Sequence, residues 1–244
     1  MPDEVKLIED KASHVIAEWE EYARKGNWTV KGYQMVEAPS GPGKVGEGKK
    51  EQYMIIYRPH GVLYHHSYGL VSKFFKGLLD EKLLGTRCPQ CQTVYCPPRV
   101  HCWNPRCKAV VTEWQELPLR GTVHTFSVML FSADAFLEQL PFVLGYVQID
   151  ETHTALPIQV ITAPTEVFIG QRVEIRFRDK RKGDLMDVYA VPLPGQTIPD
   201  YSCLHSEKKN LRDMERDLEN TYSFLEKKFG LKKEQVQQRW QQVR

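Results

Sequence analysis

The sequence predicts an α+β fold, and three features of the chain carry that prediction. Four cysteines, Cys88, Cys91, Cys102 and Cys107, fall in two pairs; five runs of strand-type residues follow between Thr122 and Val191; and apolar stripes of helical spacing mark both ends of the chain. At 244 residues with 41% hydrophobic content, the chain can bury a sizeable core. Its 33 Lys and Arg against 31 Asp and Glu leave a formal charge of +2. Attraction to phosphate must then come from a local patch, and bulk affinity for nucleic acid or membrane is not indicated.

Met1 to Asp10 contains Asp3 and Glu4 and lacks the basic-then-apolar pattern of a secretory signal, and no uncharged apolar stretch of ~18 residues occurs. A cytoplasmic location is expected. Thiols stay reduced in that compartment, so clustered cysteines read as metal ligands rather than disulfides.

Residues 1–69 read as an N-terminal helical extension. Ile8, Ala12, Val15, Ile16, Trp19 and Ala23 form one stripe of an amphipathic helix, and Gly26 supplies a stop. Pro39 to Lys50 is rich in Gly, Pro and Lys and predicts a flexible boundary. Gly43, Gly48 and Lys49 have phosphate-loop spacing there, but Lys50 stands where that motif needs a Ser or Thr, and no helix follows. Tyr53 to Tyr57 predicts a short strand. His65 and His66 are adjacent and point apart, which makes them a poor metal pair. A helix from about Val71 to Leu84 opens the next region, residues 70–112.

That region holds the cysteine cluster. Cys88 and Cys91 are separated by two residues, Cys102 and Cys107 by four, and both gaps fall in the range by which a short knuckle aims two thiolates at one ion. Two knuckles make a zinc ribbon of rubredoxin-like type, in which four thiolates fill a tetrahedral shell and leave the metal structural. An iron site uses a similar shell; the wider second gap favours zinc. Cys96 and His101 lie in the same stretch and are alternative ligands, Cys96 reading as a small buried residue beside Pro97 and Pro98. Cys203 has no neighbour of its kind.

In residues 113–195 the strand runs are Thr122 to Phe131, Phe142 to Ile149, Leu156 to Ile161, Arg172 to Phe177 and Met186 to Val191, broken by turn residues. Five short strands of this size predict an OB-fold β-barrel, which closes on a filled interior without a long exposed edge. After Pro192, Pro194 and Pro199, residues 196–244 form a helical arm. Leu211, Met214, Leu218, Tyr222 and Leu225 repeat at three and four, Gly230 caps, and Leu231, Val236, Trp240 and Val243 continue a second helix. The arm either docks on its own barrel or on a partner.

Several runs then point to a family. Phe74-Phe75-Lys76-Gly77-Leu78, Leu83 to Cys88, Pro97-Pro98-Arg99, Gly121-Thr122-Val123, Pro141 to Val147 and Ile169 to Val173 resemble, in that order, zinc-ribbon plus OB-fold proteins associated with acyl-CoA enzymes. The resemblance covers about residues 70 to 195. It departs in the second knuckle, usually two residues wide, and at Cys96, where an aromatic is usual. It implies a non-catalytic accessory subunit bound to a thiolase-like catalytic subunit as a heterotetramer. The subunit would shape the CoA-substrate channel of a partner that cleaves a 3-oxoacyl-CoA, aromatic substrates such as benzoylsuccinyl-CoA included. Accessory subunits of acyl-CoA hydratase or HMG-CoA synthase complexes are the alternative within the family.

No set of nucleophile, base and oxyanion donors is recognisable, and His124 and His153 are lone histidines in or beside strands. The concentrated cationic feature is Arg172 to Lys182. Arg172, Arg176 and Arg178 share a strand face, and Arg176, Arg178, Lys180 and Arg181 are candidates for the phosphates of CoA; the alternative is a solvated hairpin offset by Asp179 and Asp184. A competing class is a single-stranded nucleic-acid module with Phe126, Phe131, Tyr146 and Phe177 as stacking residues, which the balanced charge disfavours.

Overall fold

The structure, a computed structural model, describes residues 10–24, 32–39, 50–57, 63–199 and 205–241. The chain divides into two compact units, Met1–His66 and Ser67–Arg244. In the first, α1 spans Ser13–Arg24. Asp10 Oδ1 accepts the amides of Ala12 and Ser13 at 2.9 and 2.8 Å, satisfying donors that a helix start leaves unpaired. Those bonds also hold the Asp10 carboxyl below its usual range. The cap sets the start of α1 at Ser13, later than the stripe alone predicts.

Strands β1 (Gly32–Pro39) and β2 (Lys50–Tyr57) pair antiparallel, with Tyr33 opposite Ile56 and Met35 opposite Met54. The strand expected at Tyr53 to Tyr57 is therefore half of a hairpin whose other half carries no strong strand signal in the sequence. Residues 40–49, with the phosphate-loop-like spacing, lie outside the described residues.

In the second unit α2 is Ser72–Leu79, shorter than the predicted helix. Asp80 closes it, Glu81 takes a left-handed φ of 56°, and Leu84 already belongs to a strand. Strands β3 (Leu84–Arg87), β4 (Val94–Tyr95) and β5 (Glu113–Glu116) form an antiparallel sheet in the order β4-β3-β5. A short link then carries the chain into the barrel.

The barrel contains β6 (Arg120–Met129), β7 (Phe142–Ile149), β8 (Ala155–Val160), β9 (Arg172–Phe177) and β10 (Val188–Pro192), closed in the order β10-β8-β7-β6-β9. Only the β8–β10 pair is parallel, which is the OB arrangement the five runs predict. Alternation decides which residues fill it: Val143, Val147 and Ile149 of β7 are buried while Leu144, Tyr146 and Gln148 face out. Gly121 sits where β6 pairs with both β7 and β9, and a Cβ there would lie 2.6 Å from the Gln148 carbonyl oxygen, so the tight corner requires glycine. Phe74 and Leu78 of α2, Leu83 and Val94 of the ribbon, and Val123, Val147, Ile158 and Ile175 of the barrel share one core.

Helices α3 (His205–Phe229) and α4 (Lys233–Gln241) are separated by Gly230 in a left-handed conformation, φ 69°. Their buried face, Leu218, Tyr222, Leu225 and Val236, packs with Leu140, and Met129, Leu130 and Phe142 border the same cluster. Through this face the helices dock on their own barrel.

Candidate metal centre

The first knuckle is a tight turn. The Cys88 amide donates to Thr93 O at 2.9 Å, the Gln92 amide to Cys88 O at 2.9 Å, and the Cys91 amide points at Cys88 Sγ at 3.4 Å. Gln92, at φ 63°, turns the chain back. The wider second knuckle is filled by a 3-10 turn, Pro105–Cys107, whose Arg106 amide is capped by Asn104 Oδ1 at 3.1 Å. Left-handed Lys108 and Ala109 follow, and the Cys102 amide closes the loop on Val110 O at 2.9 Å. The two additional residues of this gap are thus absorbed locally, and both sulfurs still reach the site.

The four sulfurs of Cys88, Cys91, Cys102 and Cys107 lie within 4.8 Å of one another. Cys88 and Cys107 are 3.9 Å apart and Cys91 and Cys102 3.6 Å. Neither is a disulfide distance, which is about 2.0 Å. Both match the edge of a sulfur tetrahedron around zinc, about 3.8 Å for Zn–S near 2.3 Å. The donor set therefore fits zinc, which when bound would join the two knuckles and, with every position taken by sulfur, leave none for substrate.

Around the sulfurs, Thr93 Oγ1 lies 3.1 Å from Cys91 Sγ, and hydrogen bonding to Thr93 brings that thiol down to about 6. Burial pushes the Cys107 thiol up to about 12. Burial first, and contact with Cys102 Sγ at 3.1 Å second, pushes the Tyr95 hydroxyl up to about 12. Tyr95 is fully buried beneath the site. Buried Thr86 Oγ1 accepts the Arg99 amide and donates to Arg99 O, and buried Thr112 Oγ1 also donates to Arg99 O, which fixes the segment that crosses between the knuckles.

The two alternative ligands are elsewhere. Cys96 lies in the shared core, apart from the four clustered sulfurs, and burial pushes its thiol up to about 12, the setting of a structural cysteine. His101 is exposed and bridges Val111 through the backbone. Cys203 lies outside the described residues. Among the described residues the four cysteines are the one such ligand group, and His65 and His66 sit on an exposed loop.

The ribbon is tied to the barrel by residues the sequence did not single out for that purpose. The Val94 amide donates to His153 Nδ1 at 3.1 Å, and the His153 amide returns to Val94 O at 2.9 Å. Thr154 Oγ1 accepts the Cys96 amide at 2.8 Å and donates to Cys96 O at 2.9 Å. Strand β4 is thus laced to the β7–β8 turn, and His153 has a structural task.

The basic stretch is largely committed within the barrel. Arg172 binds Asp150 through two 2.6 Å hydrogen bonds and also reaches Thr122; the pairing holds the Asp150 carboxyl below its usual range. Arg176 pairs with Glu174 at 2.7 Å. Arg178 donates to Met186 O and Gln159 Oε1 and lies over the Tyr189 ring. Arg181 spans to Leu79 O at 3.0 Å and to Glu81 at 2.8 Å, stapling the hairpin to the end of α2. Lys180 is exposed. The turn itself is built by buried Asp187, whose carboxylate accepts the amides of Lys182, Gly183 and Asp184 at 2.6 to 3.1 Å. Of the candidate stacking residues, Phe126 and Phe177 pack against the core, while Tyr146 and Phe131 are exposed.

Comparison with known proteins agrees with this anatomy. Residues 75–110 match the family model "ChsH2, rubredoxin-like zinc ribbon domain" and residues 114–178 the model "ChsH2, C-terminal OB-fold domain". A DUF35 domain-containing scaffold protein of Methanocaldococcus jannaschii is 37% identical over 105 residues, covering 42% of this chain and 72% of that protein. One of Methanothermobacter thermautotrophicus is 31% identical over 100 residues, covering 41% and 74%. Among solved structures, one described as an Ltp2-ChsH2(DUF35) aldolase aligns with a TM-score of 0.42 at 24% identity, covering 50% of this chain and 92% of that one.

Proposed function

The chain belongs to the DUF35 domain-containing scaffold proteins, and on that premise we propose that it is the non-catalytic zinc-ribbon subunit of a thiolase-type acyl-CoA complex. Bound to a thiolase-like catalytic subunit in a heterotetramer, it shapes the CoA-substrate channel while the partner supplies the nucleophile that cleaves a 3-oxoacyl-CoA, aromatic substrates such as benzoylsuccinyl-CoA included. One observation carries the non-catalytic part. Every cysteine among the described residues is either in the four-sulfur cluster or, as Cys96, shut in the core with its thiol pushed up to about 12. A thiolase needs a reactive thiol with a base in reach.

The rigid join between ribbon and barrel supports the scaffold part, since a docking surface works best when binding does not first have to order it. The test is kinetic. Thiolytic cleavage of a 3-oxoacyl-CoA should be absent with this chain alone and appear when the partner that co-purifies with it from its own cells is added. Turnover by the chain alone would refute the proposal.

A further inference from the structure

We infer that a groove between α2 and β5 is a binding site for an adenosine phosphate. The groove is an open cleft of about 520 Å³, within the range of small-ligand sites, and Lys73, Lys76 and Lys82 line it together with the carboxylates of Asp80 and Glu116, a net positive lining. Lys73 and Lys76 stand three residues apart on α2 and so share one face of the helix. Lys82 is brought beside them because its amide donates to Gly77 O at 2.8 Å, folding the chain back on the last turn. The floor is fixed: a Cβ on Gly77 would lie 2.9 Å from Leu84 Cδ1 and 3.0 Å from Lys82 O, so helix and strand are already in closest approach.

Two features select the ligand. Among the described residues none of the three lysines forms an ion pair, unlike Arg172, Arg176 and Arg181 of the basic hairpin, whose guanidinium groups are already paired with carboxylates. A phosphate arriving at Lys76 or Lys82 therefore breaks no salt bridge, and at Lys73 it competes only with the Trp114 ring. Trp114 also lines the groove, half-buried against the core, with Lys73 Nζ over its ring at 5.5 Å. An incoming phosphate draws Lys73 off the ring and opens a stacking face for a base. Glu116 and Gln115, in the same lining, are placed to accept hydrogen bonds from an adenine amino group or ribose hydroxyls, donors that a bare phosphate lacks, and the carboxylates of Asp80 and Glu116 repel a long polyanion. This mixed lining favours a mononucleotide over a polyanion.

The inference deepens the acyl-CoA reading, since CoA carries such a nucleotide, and depends on that reading only for the source of the ligand. The test uses the full zinc-loaded chain and titration calorimetry with adenosine 3′,5′-bisphosphate, ADP, CoA, inorganic pyrophosphate and an oligoglutamate peptide. Adenosine bisphosphate should bind, at least tenfold more weakly after Lys76→Glu or Lys82→Glu, and unchanged after Lys180→Glu. Zinc content and melting temperature confirm that these exposed-site variants remain folded. Trp114→Phe should weaken the nucleotide and leave pyrophosphate unchanged. Tighter binding of CoA than of either nucleotide makes CoA the source; equal binding makes it a free nucleotide, and the site stands in both cases.

The site is overturned if no nucleotide binds, if the Lys76 and Lys82 variants bind normally, if Lys180→Glu abolishes binding, or if pyrophosphate or oligoglutamate binds more tightly than the nucleotides. Nucleotide binding by a chain that brings down no catalytic partner would leave the groove in place and remove the proposed function. Partner capture without nucleotide binding would do the reverse.

Discussion

At the scale of single residues, thiol chemistry is decided by place. Cys91 and Cys96 stand five positions apart, yet Cys91 Sγ joins the metal cluster under the influence of Thr93 while Cys96 Sγ is enclosed by the core. Cys91→Ala should therefore abolish stoichiometric zinc, whereas Cys96→Ala should keep it and lower stability by about 1 kcal/mol, as small core truncations do; elemental analysis and urea unfolding measure both. Asp187 organises the basic turn through three backbone amides, and hydrogen bonds to a charged group are worth about 1.5–3 kcal/mol. Asp187→Ala should cost about 2–3 kcal/mol by urea unfolding. The Asp150–Arg172 pair is more than a third exposed, with 34% and 40% of the side chains accessible, so screening limits it to about 1 kcal/mol or less despite its geometry. Because the folded carboxyl sits below its unfolded value, that contribution is full above about pH 4 and fades only as the pH falls further. The stability difference between the protein and Asp150→Asn should be flat from pH 7 to 5 and shrink in 1 M salt.

Between elements, the joins decide what moves together. Thr154 makes two hydrogen bonds with Cys96 across the ribbon–barrel contact, and Thr154→Val removes both. A loss of about 1–3 kcal/mol is expected, with faster hydrogen exchange at the Cys96 amide, which the Thr154 hydroxyl now protects. Leu225 is fully buried under the barrel, and Leu225→Ala should cost about 2–5 kcal/mol. Sequence patterns announced most of these elements. Phe142 to Ile149 and Arg172 to Phe177 were legible to the residue because alternation is strict where one face is buried. The end of α2 was not, since Leu83 and Leu84 extend its apolar pattern while their backbone belongs to the ribbon. Strand β1 is not legible in the sequence because Glu37, Ala38 and Pro39 carry little strand propensity and the strand is defined by its pairing with β2. In the site, cysteine spacing revealed the ligands. The ties through His153 and Thr154 were invisible because residues nearly sixty positions apart meet only in three dimensions.

At the scale of the whole molecule, one core runs through α2, the ribbon and the barrel, and the C-terminal helices close a second core against the barrel. No helix among the described residues is long and apolar enough to cross a membrane. The knuckles, the crossing segment and β4 reach the barrel through shared packing and backbone bonds, so a metal there stabilises a surface larger than its own loop. A chain built in this way suits a fixed support for another subunit's chemistry. The most direct check is native mass spectrometry of the assembly captured through this chain from its own cells. One zinc per copy of the chain and a second, thiolase-type subunit in equal number are expected. A chain recovered by itself, carrying zinc and showing acyl-CoA cleavage without any second subunit, would contradict it.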